Sequence, residues 1–312
     1  MTHAYLILAH NEFSLLARLV SALDYPCNDI CIHIDKKVDD EVFARVKRQL
    51  EGATTRANLT FTPRIGVVWG DFSMIQAELL LLREASQMHH DYYHLLSGVD
   101  LPIKSHEEIT RFFEENAGKE FLAGHRFPPH SEVCRRIRYY YPFQHVVGHR
   151  YFLPLGLLQY AMLPLQALAG VNRLRRLPKA AGQPLGVYKG SQWFSVTHEF
   201  VTDLLEFFSR EENLRAYRKT MCADEIFVTM FAFHSDKYRE RIHCETWRGR
   251  EYPSNMRCIW FGKNAWMTGS PMTHTMESLE WLLKTDCLWA RKFSYEKHPD
   301  VVDAIMDRLR RG

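Results

Sequence analysis

Tyr92-Tyr93-His94-Leu95-Leu96-Ser97-Gly98-Val99-Asp100-Leu101-Pro102-Ile103-Lys104 is the stretch on which the reading of this chain turns. Residues 92–96 have the length and apolar character of a buried strand. The run breaks at Ser97-Gly98, presents one carboxylate at Asp100 and is stopped by Pro102. A strand whose carboxyl end opens into a tight acidic turn is how open α/β sheets build ligand sites. Upstream, residues 5–9, 30–34 and 59–62 read as further strands, and 13–23, 39–50 and 72–88 as helices between them. Another helix is predicted after Ser105, an N-cap with Glu108 three residues on. Strands alternating with helices predict an α/β fold with a mostly parallel central sheet flanked by helices.

Each strand is followed by polar residues: His10-Asn11-Glu12, then Asp35-Lys36-Lys37, then Arg64 ahead of Trp69-Gly70-Asp71, then Ser97 to Asp100. Any one of these loops reads as an ordinary surface turn. Four of them on one sheet edge read as a ligand edge. No G-x-G-x-x-G follows the first strand and no P-loop occurs, so neither a common dinucleotide fingerprint nor an ATPase cradle is encoded.

The 312 residues suit one large α/β domain or two small ones, and 46% hydrophobic with 25% charged residues suits a globular core rather than disorder. A net charge of +3 is too small to argue for a nucleic-acid partner. Seven cysteines, an odd number without a C-x-x-C pair, read as reduced thiols of a cytoplasmic protein. The start, Met1-Thr2-His3-Ala4-Tyr5, lacks the basic-then-apolar order of a signal peptide.

The second half changes character. Residues 151–171 contain no charge, while His149-Arg150 precede them and Arg173, Arg175, Arg176 and Lys179 follow. That length could nearly span a bilayer, but two prolines, two glutamines and two glycines make a poor spanning helix. Two readings stand: a buried hairpin or core helix, and an interfacial segment giving peripheral membrane contact. Gly190-Ser191-Gln192-Trp193 reads as a turn feeding a strand, with a helix over 198–209. Ala223-Asp224-Glu225-Ile226-Phe227 opens another helix, where two carboxylates complement the dipole or one faces a cleft as a base.

Eight segments taken in order resemble the core-2/I-branching β-1,6-N-acetylglucosaminyltransferase and peptide xylosyltransferase family. They are residues 5–11, His33-x-Asp35-x-Lys37, Trp69-Gly70-x-x-Ser73, Leu96 to Lys104, Gly190-Ser191-x-Trp193-Phe194, Asp224-Glu225-Ile226-Phe227, Arg257-x-Ile259-Trp260 and Ala290-Arg291-Lys292-Phe293. The resemblance runs over almost the whole chain. It implies a single GT-A-like, Rossmann-type domain over 1–312, with a nucleotide-sugar-binding half over 1–125 and an acceptor and catalytic half over 126–312. It implies transfer of a sugar from a UDP donor to a hydroxyl with inversion, without a metal or other cofactor. The chain agrees in containing no D-x-D, the usual metal clamp on the diphosphate.

By this resemblance Glu225 is the general base, and Asp224 either orients a neighbour or caps the helix. Arg257 and Lys292 are the basic pair that would neutralise departing UDP, which fixed cations can do in place of a metal. Asp35 is placed to read uridine, with His10, Arg64 and Ser97 in the same donor pocket and Asp100 against donor sugar or ribose. Trp69, Ser73 and Trp193 either line the pocket or fill the core. The basic, aromatic run Cys134-Arg135-Arg136-Ile137-Arg138-Tyr139-Tyr140-Tyr141-Pro142-Phe143 reads as an acceptor surface through Arg135, Arg138 and Tyr139, or equally as a basic, aromatic surface loop, and Trp193 is a further acceptor-side candidate. The expected sugar is GlcNAc, with xylose second, and the expected acceptor a glycan or lipid-linked oligosaccharide in surface polysaccharide synthesis. The rival from another class is a catalytically silent carbohydrate-binding scaffold.

Overall fold

The computed structural model describes residues 1–150, 153–177, 186–244, 251–261 and 271–311. Its main sheet has six strands in the order β3-β2-β1-β4-β9-β6, formed by β1 (His3–Ala9), β2 (Asn28–Ile34), β3 (Asn58–Phe61), β4 (Tyr92–Ser97), β6 (Phe121–Leu122) and β9 (Phe194–Thr197). β3, β2, β1 and β4 run parallel, as the alternation of strands and helices predicts. β9 runs antiparallel to both β4 and β6, so the sheet is mixed rather than mostly parallel. The reason is local: β9 arrives from the Gly190 turn instead of through a crossover helix, and an antiparallel neighbour needs none.

The strands are apolar on both faces because both faces are covered. Successive side chains point to opposite sides. Ala4 and Leu6 of β1 therefore join Tyr93 and Leu95 of β4 in one core, under α3 (Ser73–Ala85) and α8 (His198–Ser209). Tyr5 and Ile7 join Tyr92 and Leu96 in the other, under α1 (Phe13–Ala22), α4 (His106–Glu115) and the C-terminal helix Pro299–Arg311. Ser105 caps α4 with the reciprocal pair that its sequence predicts: its hydroxyl accepts from Glu108 N, and Ser105 N donates to the Glu108 carboxylate.

A second sheet crosses the carboxyl edge of the first in the order β10-β11-β12-β5, from β5 (Asp100–Pro102), β10 (Glu251–Tyr252), β11 (Arg257–Ile259) and β12 (Trp289–Arg291). β12 pairs antiparallel with β5, which sets Arg291 beside Asp100. The Glu12 carboxylate, in the loop after β1, accepts from Ser294 Oγ, Tyr295 N and Glu296 N and so ties the segment after β12 to that edge. A two-stranded antiparallel sheet of β7 (His125–Phe127) and β8 (Val187–Lys189) stands beside α5 (Glu132–Arg138). Two more helices, α6 (Gln144–Arg150) and α7 (Leu153–Leu168), follow α5.

Candidate functional site

The parallel strands deliver their polar loops to one edge. After β1, His10 is surface-exposed within electrostatic reach of Asp35, Lys37 and Arg291, and desolvation of its ring lowers its pKa. After β2, Asp35 is buried and its carboxylate is held by Lys37 N at 2.9 Å and by Lys37 Nζ at 3.4 Å. After β4, Ser97 N donates to Asp100 Oδ2 at 2.9 Å, and Arg291 Nη1 meets Asp100 Oδ1 at 2.8 Å. Asp100 is fully buried, and desolvation raises its pKa despite the neighbouring guanidinium. Lys292 follows directly, its pKa lowered by partial burial and by the charges of Arg291 and Lys297.

Two expected donor-site cations are not brought to this edge as free groups. Arg64 is committed to the β2–α2 turn, α2 being Asp40–Ala53: its guanidinium donates to the carbonyls of Ile34, Asp35 and Val38 and pairs with Asp40 at 2.7 Å. Arg257 lies inside the protein, 1% exposed, donating to the carbonyls of Leu95, Phe194 and Asn255 and to Ser195 Oγ. It lies 4.4 Å over the Trp289 ring, and desolvation lowers its pKa to about 9. Both act as buried cross-links of backbone carbonyls. Arg291, the neighbour that the sequence reading passed over, is the cation that reaches the Asp100 turn.

A second constellation forms where the chain returns before the helix Phe227–Phe233. Instead of opening that helix directly, Ala223–Glu225 make a 3-10 turn, entered through Cys222 in the left-handed conformation at φ 52°. The turn is pinned at both ends: Cys222 N donates to Gly70 O and Gly190 N to Glu225 O, each at 2.9 Å. Gly190 has no alternative here, since a Cβ would lie 1.7 Å from Ala123 O.

The turn separates its two carboxylates. The Glu225 side chain keeps 32% exposure and lies between two cations, Lys189 Nζ at 3.0 Å and Arg136 Nη1 at 3.5 Å. Asp224 points inward, and desolvation together with the Glu225 charge pushes its pKa up to about 7. Behind it sits Glu78 of α3, wholly buried, whose Oε1 accepts from Gln192 Nε2 at 2.9 Å. Desolvation and the Asp224 charge raise the Glu78 pKa well above the usual carboxylate range. Glu78 Oε2 and Asp224 Oδ1 have no hydrogen-bond partner among the described residues.

The two constellations meet in the turn Gly190–Trp193. Gln192 holds Glu78, while the next residue, Trp193, lies 4.4 Å beneath the Arg291 guanidinium. Trp193 is thus both buried and the floor of an ion pair. Of the expected acceptor residues, Arg135 is exposed, Arg138 donates to Pro129 O at 2.7 Å, and the Tyr139 carbonyl accepts from Arg173. Arg136, between them in sequence, is the one that reaches Glu225. Glu78, Gln192, Lys189, Arg136 and Arg291 are the additions that the structure makes. Arg136 had a signal, its helical spacing of four from Glu132, with which it pairs at 2.9 Å. Among the described residues no group of three or more His, Cys, Asp or Glu side chains is arranged to hold a metal ion.

Arranged this way, the site has an accessible carboxylate flanked by cations, and a separate basic and acidic edge on the parallel strands. The model of the Core-2/I-Branching enzyme family matches residues 3–268. The chain is similar to a mouse N-acetyllactosaminide β-1,6-N-acetylglucosaminyl-transferase, 26% identical over 98% of this chain and 72% of the relative. It is also similar to a human β-1,3-galactosyl-O-glycosyl-glycoprotein β-1,6-N-acetylglucosaminyltransferase, 32% identical over 71% of this chain but only 46% of the relative. A human xylosyltransferase 2 is 28% identical over 39% of this chain and 14% of its own length. With that match covering most of the chain and the Asp224-Glu225 turn, the chain belongs to the Core-2/I-branching enzyme family of glycosyltransferases.

Proposed function

We propose that this protein is a metal-independent, inverting glycosyltransferase of GT-A-like fold. It moves a sugar, N-acetylglucosamine, from a UDP donor to a hydroxyl of a glycan or lipid-linked acceptor in surface polysaccharide synthesis. The observation that carries the reading is the division of labour at the Asp224-Glu225 turn: one carboxylate is accessible and flanked by Lys189 and Arg136, the other is buried behind it. Inversion is a single displacement. The acceptor oxygen bonds to the anomeric carbon as its proton passes to Glu225, and the bond to UDP breaks with its electron pair leaving on the diphosphate. Arg291 and Lys292 supply the positive charge that UDP needs as it departs. Asp35 and His10 take the nucleoside side of the donor. The lack of any D-x-D in the sequence supports the metal-free reading. Xylose is the second donor reading, favoured by the match to a protein named xylosyltransferase 2.

The test is UDP-sugar hydrolysis and transfer across a donor panel in EDTA, comparing wild type with Glu225→Gln. Turnover of one donor in EDTA, reduced about 10²–10⁴-fold in the variant while UDP still binds, supports the proposal and names the sugar. Turnover that requires a divalent ion removes the metal-free mechanism. UDP binding without turnover on any donor or acceptor assigns the chain to a silent binding role, and no UDP affinity overturns the reading altogether.

A further inference from the structure

Helix α7 is inside out. The residues it turns to the protein are Gln159, Leu163 and Gln166, all buried, and the residues it turns outward are large and apolar. Leu157 is 63% exposed, Leu158 48%, Tyr160 49%, Leu165 64% and Leu168 85%. At 100° per residue, Leu157, Leu158, Leu165 and Leu168 fall on one side, with Pro154 and Ala161 between them and Pro164 at the margin. No charge occurs on this helix, whereas a surface helix ordinarily turns charged residues to water. The inward glutamines are the reason the orientation is fixed. Gln159 Oε1 accepts from Phe143 N at 3.0 Å and its amide donates to Gln144 at 3.2 Å. Gln166 accepts from Tyr140 N at 2.8 Å and donates to Tyr140 O at 3.0 Å. Rotating the helix to hide its leucines would break all four bonds.

Basic residues flank this helix in the sequence. Arg150 precedes it and Arg175, Arg176 and Lys179 follow, Lys179 lying outside the described residues. Arg173 grips the loop that carries exposed Arg215, Arg218 and Lys219 by donating to the carbonyls of Ala216, Arg218 and Lys219. Of these, Arg218 also pairs with Glu211 at 3.0 Å. The helix is about 24 Å long and, at ~10 Å across, presents a few hundred Å², well short of the ~800 Å² per partner of a standard protein interface. No described helix is long and apolar enough to cross a membrane.

We propose that α7 is a membrane-contact helix that lies in the headgroup and acyl boundary of an anionic bilayer, with Leu157, Leu158, Leu165 and Leu168 inserted and the glutamine side fixed to the domain. The features fit an interfacial helix: one uncharged apolar face, basic residues flanking it in the sequence, and a rigid attachment. They also have a consequence for access. Leu163 packs with Tyr141, Met221 and Cys222, and Cys222 begins the turn that holds Asp224 and Glu225. The membrane face thus lies one packed layer from the carboxylate turn, where an acceptor carried by a lipid would be presented.

The experiment is flotation of the full chain with phosphatidylcholine vesicles, with and without phosphatidylglycerol, in low and high salt. Flotation that needs phosphatidylglycerol and weakens in salt is expected. Leu157→Glu/Leu165→Glu should weaken partitioning by about tenfold or more per leucine, with thermal unfolding unchanged because both side chains are outside the core. Leu157→Gln/Leu165→Gln, which adds no charge, serves if the glutamates disturb folding. Absence of flotation with phosphatidylglycerol, or flotation undiminished in both double variants, overturns the proposal. So does a concentration-dependent dimer in light scattering that these substitutions abolish, since the face would then belong to a second copy. The readout is vesicle binding alone, so it stands or falls separately from the reaction proposed above.

Discussion

Arg291 reaches Asp100 with a 2.8 Å ion pair while its guanidinium lies 4.4 Å over Trp193. One side chain therefore joins the turn after β4, the second sheet and the loop entering β9. A guanidinium can do this because its edge donates and its face stacks, a combination that an ammonium lacks. The carboxylate it meets is buried and costly to leave alone, so the pair also fixes the shape of this edge.

Replacing Arg291 tests whether that edge holds the donor. Arg291→Ala removes a charge-assisted contact to a buried carboxylate, and Asp100, already raised by desolvation, becomes still easier to protonate. Donor KM should rise about 10–100-fold. Arg291→Lys should recover part of this, since it restores the charge but neither the fork nor the stack. Steady-state kinetics on the donor decide it, and an unchanged KM would remove Arg291 from the donor site.

Arg257 predicts the opposite pattern. Its guanidinium satisfies the carbonyls of Leu95, Phe194 and Asn255. Arg257→Met keeps much of the volume and leaves those groups to find no replacement, at a cost on the order of 3 kcal/mol or more. Denaturant unfolding should report that loss, with donor affinity little altered in whatever protein folds. A large donor KM effect at unchanged stability would return Arg257 to the site.

This contrast marks how far the sequence reading carries. β1 to β4 and the Ser105–Glu108 cap were legible because their signals are local: apolar runs, turn residues and a fixed spacing of three. That Arg257 is buried among backbone carbonyls while Arg291 reaches Asp100 was not, because it depends on partners such as Leu95, 162 positions from Arg257. Glu78 was hidden for a related reason. An acid in an apolar helix reads as its solvated face, and only the packing of α3 against the Asp224 turn buries this one. The direction in which α7 faces was also unreadable from hydropathy, since the run is uniformly uncharged. The available signal was Gln159 and Gln166, seven residues apart and so on one side of a helix.

The buried acids predict a particular pH dependence. Asp224 and Glu78 both have folded pKa values raised above their unfolded ones, Asp224 from 3.8 to about 7. The folded state then keeps protons that the unfolded chain has released, so these groups lower stability as pH climbs from about 4 through 7. Asp224→Asn and Glu78→Gln remove the titration. Their melting temperatures, relative to wild type, should increase between pH 4.5 and pH 7.5. Glu120, raised to about 7 by burial, acts in the same sense but is common to all three proteins. Melting curves that stay parallel across this range would mean that neither acid titrates as described.

Gly190 is the hinge of the whole arrangement, carrying Gln192 to Glu78 and Trp193 to Arg291 while its N–H holds Glu225 O. A methyl group at 1.7 Å from Ala123 O cannot be accommodated by side-chain movement, because the obstacle is backbone. Gly190→Ala should lose transfer activity by at least the 10²-fold expected when catalytic groups are misplaced by about 1 Å. It should also lower the melting temperature. Gly118→Ala, where nothing lies within 4 Å but φ is +81°, separates backbone strain from steric displacement and should leave activity intact. Equal activity losses in the two would contradict the steric account.

The glutamines of α7 give the last prediction, one in which a more apolar residue destabilises. Gln159→Leu would suit an ordinary buried helix position. Here it strips Phe143 N of its acceptor and Gln144 of its partner, while Gln144 also donates to Trp69 O at 3.1 Å. A buried donor left unpaired costs about 1–3 kcal/mol, more than the added methyl groups return in a site shaped for an amide. Gln166→Leu should behave alike through Tyr140. The pair together should approach the sum, since the two bond different backbone segments seven residues apart along the helix. Denaturant unfolding of the single and double variants measures this directly. Stabilisation by either leucine would mean that the amides do not hold the helix, and its exposed leucines would then need another explanation.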